Sequence, residues 1–463
     1  MAGLAAGGAR SAPPGVARVA AVLDSSERAV LWGAVVADAR TGEVLLERNA
    51  DRLLLPASVQ KVVTAATALD RLGARYRYRT PLLFSGVLDT SGARRTLRGT
   101  FVVVGQGDPS FGSAELPLSD PLEAWAEGLR ARGIARVEGI LVGDDDRFDD
   151  TLFPEGWDVQ YVYRYADRYL GAPVGALSYR DNLVTLRLGP GATDVAATPE
   201  GVLEVRRRDR ATDRTRGLGA GVRRLPGTGR VEITGTVRRR AEDLDLPVDD
   251  PTRLTLVAFR NALGRAGLDT TGLRLVDVDE QPERPDWRGF DTLAVHASPP
   301  LADLVAVMGT RSDNFYAEQI FRTLSPGGDA AGSQDAVRGF LRQSGDTTGV
   351  AVFDGSGLSR KNLLTARALS RTLVRMAAHR DVDAFFGALP YPGQRGGTLE
   401  HRLDGVPLRA KTGSLEHVRS LAGYVRTASG RDLAFVFVAN HYAASDARVT
   451  RLLDRMATLL AEG

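Results

Sequence analysis

No cysteine occurs among the 463 residues, which excludes both a disulfide framework and thiolate chemistry. Lysine is nearly absent as well: of 60 basic residues only Lys61, Lys361 and Lys411 are lysines, and 57 are arginines. The five histidines are scattered without metal-ligand spacing, so neither a metal nor a cofactor is expected. No apolar run approaches the ~20 residues that span a bilayer. The formal net charge of +3 is too small to argue for nucleic acid. The opening stretch MAGLAAGGARSAPPGVAR is small and Pro/Gly-rich and lacks the continuous apolar core of a secretion signal.

What is there reads as a globular protein of two or three domains, since 463 residues exceed one compact core. AVLWGAVVADARTGEVLLERNAD alternates apolar residues on both sides of a Gly-containing turn, which predicts two strands. Val62, Ala65, Ala66, Leu69 and Leu72 then recur at helical spacing, with Pro56 at the entry and Gly73 at the exit. From about 76 to 290 the texture changes to short strands and turns. Two helices there, DPLEAWAEGLRARGI and DPTRLTLVAFRNALGRAGL, each open on an Asp cap followed by Pro. Between them RRRDRATDRTRGLGAGVRRLPGTGR has no periodicity and reads as a solvated, loop-rich region. Helices are expected around 301–324 and 365–378, then a strand pair in LAGYVRTASGRDLAFVFVAN. The apolar face of VTRLLDRMATLL reads as core packing, because its polar face lacks the basic excess of a membrane-lying helix; membrane contact is at most peripheral. Early and late hairpins of this kind can share one sheet, which makes the middle an insertion into a split domain.

Lys61 stands out in a chain that otherwise prefers arginine. Ser58 sits where a helix cap belongs, and a capping box would then want Glu or Gln at position 61. A cation there faces the positive end of the helix dipole, a choice that opposes helix stability. Residues three apart share a helical face, so the Lys61 amine reaches the Ser58 hydroxyl. A serine is a weak nucleophile until a base takes its proton. A desolvated lysine can be that base, whereas a guanidinium cannot. Bringing a lysine from ~10.4 to near 7 costs about 4–5 kcal/mol.

Ser-x-x-Lys alone is weak evidence, but two companions follow it in order: Ser312-Asp-Asn314 and Lys411-Thr412-Gly413-Ser414. Plainer readings exist for each. Ser312 and Asn314 could cap the helix NFYAEQIFRTL, and Lys411 could be an edge-strand charge. Arg360 and Lys361, after DGSGLS, line the site or belong to a structural turn. The acidic run Asp144–Asp146 is expected to be a solvated turn.

With these motifs the chain resembles the penicillin-interacting serine peptidases. More closely, it resembles the low-molecular-mass class C penicillin-binding proteins, the D-alanyl-D-alanine carboxypeptidase/endopeptidases. The resemblance runs from about residue 30 to the C-terminus, through LLPASVQKVVTAATAL, VVVGQGDPSF, GILVGDDDRFDD, GAPVGALSYRDN, SDNFYAEQIF, DGSGLSRKN and AKTGSLEHVRSLAGYV. It implies an α+β fold: a serine β-lactamase/transpeptidase-like domain, an antiparallel sheet flanked by helices, split by a two-domain insertion. The split domain is expected over 19–75 and 291–463, the inserted domain over 76–180 and 230–290, and a domain nested in it over 181–229. The long gap from Ser58 to Ser312 fits that insertion, since β-lactamases place these motifs closer together.

The resemblance also implies roles. Ser58 attacks the penultimate D-alanine of a peptidoglycan stem peptide and forms an acyl-enzyme, with Lys61 as general base. Ser312 relays a proton to the leaving amine, Lys411 keeps Lys61 neutral, and Asn314 holds a substrate amide. Backbone N–H groups of Ser58 and Ser414 form the oxyanion hole. Thr412, Gly413 and Ser414 belong to the substrate-binding strand, and the hydroxyls of Thr412 and Ser414 take the terminal carboxylate. Arg360 helps line the site, and Asp167 or Asp158 faces the substrate's side-chain amine. The expected partners are stem peptides and β-lactams, and the expected location is the extracytoplasmic envelope. Two alternatives stay open: a serine β-lactamase, against which no Glu-x-x-x-Asn loop is found, and a non-catalytic β-lactam sensor or wall-binding module.

Overall fold

A computed structural model of the chain describes residues 14–92, 94–158, 171–189, 195–208, 220–225, 227–235, 242–281, 285–345 and 349–463. Sixteen strands are described: β1 Leu31–Asp38, β2 Val44–Arg48, β3 Arg79–Asp89, β4 Thr96–Val104, β5 Arg136–Asp144, β6 Leu183–Leu188, β7 Val195–Thr198 and β8 Glu204–Arg208. They continue as β9 Ala220–Leu225, β10 Arg230–Gly235, β11 Glu242–Pro247, β12 Leu273–Asp277, β13 Asp291–Ala297, β14 Leu408–Leu415, β15 Val418–Arg426 and β16 Asp432–Asn440.

The two ends of the chain build one five-stranded antiparallel sheet in the order β14-β15-β16-β1-β2. Its central strands are apolar on both faces because helices cover both. On one face the helices Pro14–Ser26 and Asp446–Ala461 pack through Val19, Val449, Leu453 and Met456 against Trp32, Phe435 and Phe437. On the other face lie Gln60–Leu72, Leu301–Thr310, Asn314–Thr323 and Ala366–Ala377, around Val62, Leu69, Met308, Ile320 and Leu373. The buried stripe expected for the C-terminal helix is therefore core packing.

The middle of the chain forms a second sheet, β12-β5-β4-β3-β13, with parallel β4–β5 and β5–β12 pairs. Helices Pro121–Ala131 and Pro251–Arg265 pack on it through Leu122, Trp125, Phe259 and Leu263. Each opens as expected: Asp120 accepts from the amides of Leu122 and Glu123, and Asp250 from that of Arg253. β13 departs from the expectation that everything after 290 joins the catalytic unit. It pairs with β3, because the returning chain covers that open edge.

Two small three-stranded sheets, β8-β10-β9 and β11-β6-β7, enclose a core of Leu186, Leu188, Val231, Ile233, Leu244 and Leu246. β10 and β11 lie beyond residue 229, so the nested unit continues past its expected end. Parts of the Arg-rich stretch expected to be loop are β8 and β9. Val205 and Val222 turn inward to this core, and a strand needs only alternate apolar residues to bury one face.

Candidate active site

Ser58 does not cap a helix. It sits half-buried in a 3₁₀ turn, Ala57–Val59, that precedes the helix Gln60–Leu72 and whose N-terminus has no side-chain cap. The turn is pinned from three sides. Leu54 exchanges backbone hydrogen bonds of 2.9 Å with Leu364, and the Asn440 side chain at the end of β16 bonds both backbone groups of Leu55. On β15, Ser420 Oγ donates to the Pro56 carbonyl at 2.7 Å. Two glycines permit the approach. A Cβ at Gly413 would stand 2.1 Å from Ser420 Oγ, and one at Gly357, whose φ is +85°, 2.0 Å from the Ala57 carbonyl oxygen.

Lys61 is 1% exposed. Its Nζ donates to Ser58 Oγ at 3.1 Å, to Asn314 Oδ1 at 2.6 Å and to the Ser356 carbonyl at 2.7 Å. Burial pushes the ammonium down to about 8, against the upward pull of the Asp354, Glu318 and Asp313 carboxylates. About a tenth of Lys61 is thus a neutral amine at pH 7 and about half at pH 8.

Ser312 and Asn314 flank the break between the helices Leu301–Thr310 and Asn314–Thr323. The cap of the second helix is the residue between them: Asp313 accepts from the Tyr316 amide at 2.8 Å. Ser312 takes the left-handed conformation, φ +62°, unusual for a non-glycine residue and the kind of local strain that gathers at working sites. Its hydroxyl accepts from Lys411 Nζ at 2.8 Å. Lys411 is 1% exposed and also donates to the Thr412 carbonyl at 2.9 Å. Burial and the charge of Lys61 hold Lys411 well below the ordinary lysine range. Lys411 is thus a buried partner of the site rather than an edge charge. Ser414, further along β14, is exposed.

The structure therefore joins Ser58, Lys61 and Asn314 in one hydrogen-bonded group and Ser312 and Lys411 in a second, near enough for the charge of Lys61 to act on Lys411, with Thr412, Gly413 and Ser414 on the same strand as Lys411. Arg360 lies outside both groups. It reaches the turn after β14, donating to the Glu416 carbonyl at 3.5 Å. Lys361 pairs with Glu155 of the inserted unit. Asp167 lies outside the described residues; Asp158 is half-buried.

Three residues without an assigned role in the sequence reading prove central: Asp354, Ser356 and Glu318. Asp354 accepts from the amides of Gly357 and Ser359 at 2.8 and 2.6 Å, and thereby folds the DGSGLS loop so that the Ser356 carbonyl faces Lys61. Trp157 of the inserted unit donates to the same carboxylate at 2.9 Å. Glu318 is fully buried and accepts from the amides of Gly355 and Ser356 at 3.1 and 2.8 Å. Burial, then the charge of Asp354, pushes its carboxyl up to about 8. A signal was present: Glu318 follows Asn314 by four residues, on the same helical face, amid Phe315, Ile320 and Phe321.

The acidic run in the inserted unit is not a solvated turn. Asp144 is buried and accepts from the indole of Trp287, and Asp145 accepts from Thr252. These acids have structural partners there.

The description "D-Ala-D-Ala carboxypeptidase 3 (S13) family" matches residues 16–462. A D-alanyl-D-alanine carboxypeptidase from an Actinomadura species is 30% identical over 469 residues, covering 95% of this chain and 82% of the relative. The D-alanyl-D-alanine carboxypeptidase DacB of Haemophilus influenzae is 26% identical over 89% of this chain and 86% of its own length. Among solved structures, penicillin binding protein 4 from Haemophilus influenzae superposes with a TM-score of 0.76 at 24% identity, covering 94% of this chain and 97% of that one. That likeness carries the fold.

Proposed function

This chain belongs to the D-Ala-D-Ala carboxypeptidase 3 (S13) family, and on that premise we propose that it is a serine D-Ala-D-Ala peptidase of peptidoglycan stem peptides, working through an acyl-enzyme on Ser58. The observation that carries this is the buried Lys61 amine, 3.1 Å from the Ser58 hydroxyl and down to about 8.

Lys61 takes the Ser58 proton as Oγ attacks the carbonyl of the penultimate D-alanine. The oxyanion that forms lies against the backbone N–H groups of Ser58 and Ser414; loss of one such donor typically costs about 3–4 kcal/mol of barrier. Collapse breaks the C–N bond. The leaving D-alanine amine receives its proton through Ser312, whose hydroxyl already meets Lys411. Thr412 and Ser414 hydroxyls hold the terminal carboxylate, and Asn314 holds a substrate amide. Water, deprotonated by Lys61, then releases the shortened peptide and restores Ser58. A β-lactam enters by the same attack, but its amine stays tethered and the acyl group persists. Since the substrate is cell wall, the working location is the extracytoplasmic envelope. Arg360 helps line the site, and Asp158 or Asp167 is the acid that meets the side-chain amine of the stem peptide.

The test is incubation with a fluorescent penicillin, followed by intact mass and an assay of D-alanine release from a defined pentapeptide. Wild type gains one label and releases D-alanine, and Ser58→Ala does neither. Labelling of Ser58→Ala at the wild-type level would remove the nucleophile. Labelling without D-alanine release would leave a penicillin sensor.

A further inference from the structure

A cavity of about 780 Å³ opens at the far end of β14 from the active site. That is within the range of roughly 300–1,000 Å³ of small-molecule sites. Phe386, Val406, Leu408, Tyr424 and Val425 give it an apolar wall. Phe386 and Tyr424 meet edge to face at 4.9 Å, and Tyr391, 42% exposed, forms a lip.

The mouth is cationic. Arg40, Arg409 and Arg426 stand around it, and Asp432 is the one acid among the lining residues described. Asp432 is already engaged: both its oxygens accept from Arg426, at 2.8 Å each. Arg409 lies 4.9 Å over the Tyr391 ring and donates to the Phe386 and Leu389 carbonyls at 3.3 and 3.4 Å. Arg40 is exposed, and among the described residues no carboxylate pairs with Arg40 or Arg409. Elsewhere in this chain exposed arginines are commonly matched by acids, as at Glu204, Asp286 and Asp51.

An apolar wall beneath two unmatched guanidiniums selects a ligand with both properties. A purely apolar molecule would leave the guanidiniums without an anion, and a cation would be repelled. We propose that this cavity binds an amphipathic monoanion, an apolar chain or ring ending in one carboxylate, sulfonate or phosphate, its body against Phe386 and Tyr424 and its charge on Arg40 and Arg409. The cavity adjoins the catalytic site without sharing its lining: on β14 Arg409 is two residues from Lys411, roughly 7 Å, and five from Ser414, roughly 17 Å, and neither Lys411 nor Ser414 lines the cavity.

Binding of 8-anilinonaphthalene-1-sulfonate and dodecanoate to the full chain, read by titration calorimetry, tests it, with dodecyltrimethylammonium as the cationic control. One equivalent of either anion is expected to bind, competing with the other, and the cation is not. Val406→Trp, which fills the cavity, should abolish binding. Arg40→Glu with Arg409→Gln should weaken it about tenfold, as expected for two partly exposed charge contacts. All variants should still take one fluorescent penicillin at Ser58, which shows that they fold. Absence of anion binding, equal binding of the cation, affinity unchanged in both variants, or displacement of the probe by penicillin would each overturn the proposal.

Discussion

The catalytic cluster and the nested β unit treat positive charge in opposite ways. Around Ser58 the two buried cations, Lys61 and Lys411, touch hydroxyls, an amide oxygen and backbone carbonyls, and among the described residues neither has a carboxylate within ion-pair distance. In the nested unit arginines sit on acids: Arg206 and Arg230 share Glu204, and the buried Arg224 meets Asp249. A guanidinium stays charged wherever it is placed, so it is given an anion. A lysine that must lose its proton is instead desolvated and kept from direct contact with one. That arrangement costs stability. With its pKa lowered from 10.5 to about 8, Lys61 binds a proton more readily unfolded than folded. The penalty, about 3 kcal/mol, is fully present below pH 8 and disappears as pH rises toward 10.5.

Lys61→Arg breaks the contrast most severely. It installs a permanent cation beside Ser58, and penicillin acylation is expected to fall about 10²–10⁴-fold at every pH, the range of a lost general base, in stopped-flow labelling. In the nested unit, Arg224→Ala removes a buried guanidinium from beside the half-buried Asp249. Denaturant unfolding should register a loss of about 3 kcal/mol, with the labelling rate unchanged. Asn314→Asp gives Lys61 the carboxylate it lacks, at the point where Oδ1 now lies 2.6 Å from Nζ. An opposite charge so close raises a pKa by about 1–3 units. Acylation at pH 7 should fall about 10²-fold, and the pH at which the rate levels should move upward by a similar number of units.

Wild type sets the baseline for that shift. With the neutral amine as the active form in the proposed mechanism, the acylation rate should climb about tenfold per pH unit below 8 and flatten above it. A rate independent of pH between 6 and 9 would remove Lys61 as the base. The smallest effect belongs to Arg206→Ala, whose exposed pairing with Glu204 should change stability by less than about 0.5 kcal/mol.

Much of this was legible in the residues. Helical spacing located the helix carrying Lys61, Asp-Pro marked the starts at 121 and 251, and the pairing of early with late hairpins foretold a split sheet. Ser58, Lys61, Ser312, Asn314 and Lys411 could be singled out because the chemistry proposed for them demands fixed residue types at short spacings within each motif. Other features had no local signature. Ser58 looked like a cap, but the turn that holds it depends on Asn440, Ser420 and Leu364, all more than 300 residues away. Residues 291–297 were expected with the split domain, yet as β13 they pair with β3, because an open strand edge is a property of the folded insertion. The alternation in β8 and β9 was obscured by the runs of arginine, Arg206–Arg208 and Arg223–Arg224, beside their apolar residues.

The residue types themselves settled the chemistry: a lysine where the chain elsewhere uses arginine can give up a proton, and no fold could make a guanidinium do so. Only the packed structure decided whether that proton is given up. The depressed pKa of Lys61 comes from burial by elements hundreds of residues apart, which outweighs the upward pull of the Asp354, Glu318 and Asp313 carboxylates. Desolvation is a property of everything that surrounds a group, and no short stretch of chain encodes it.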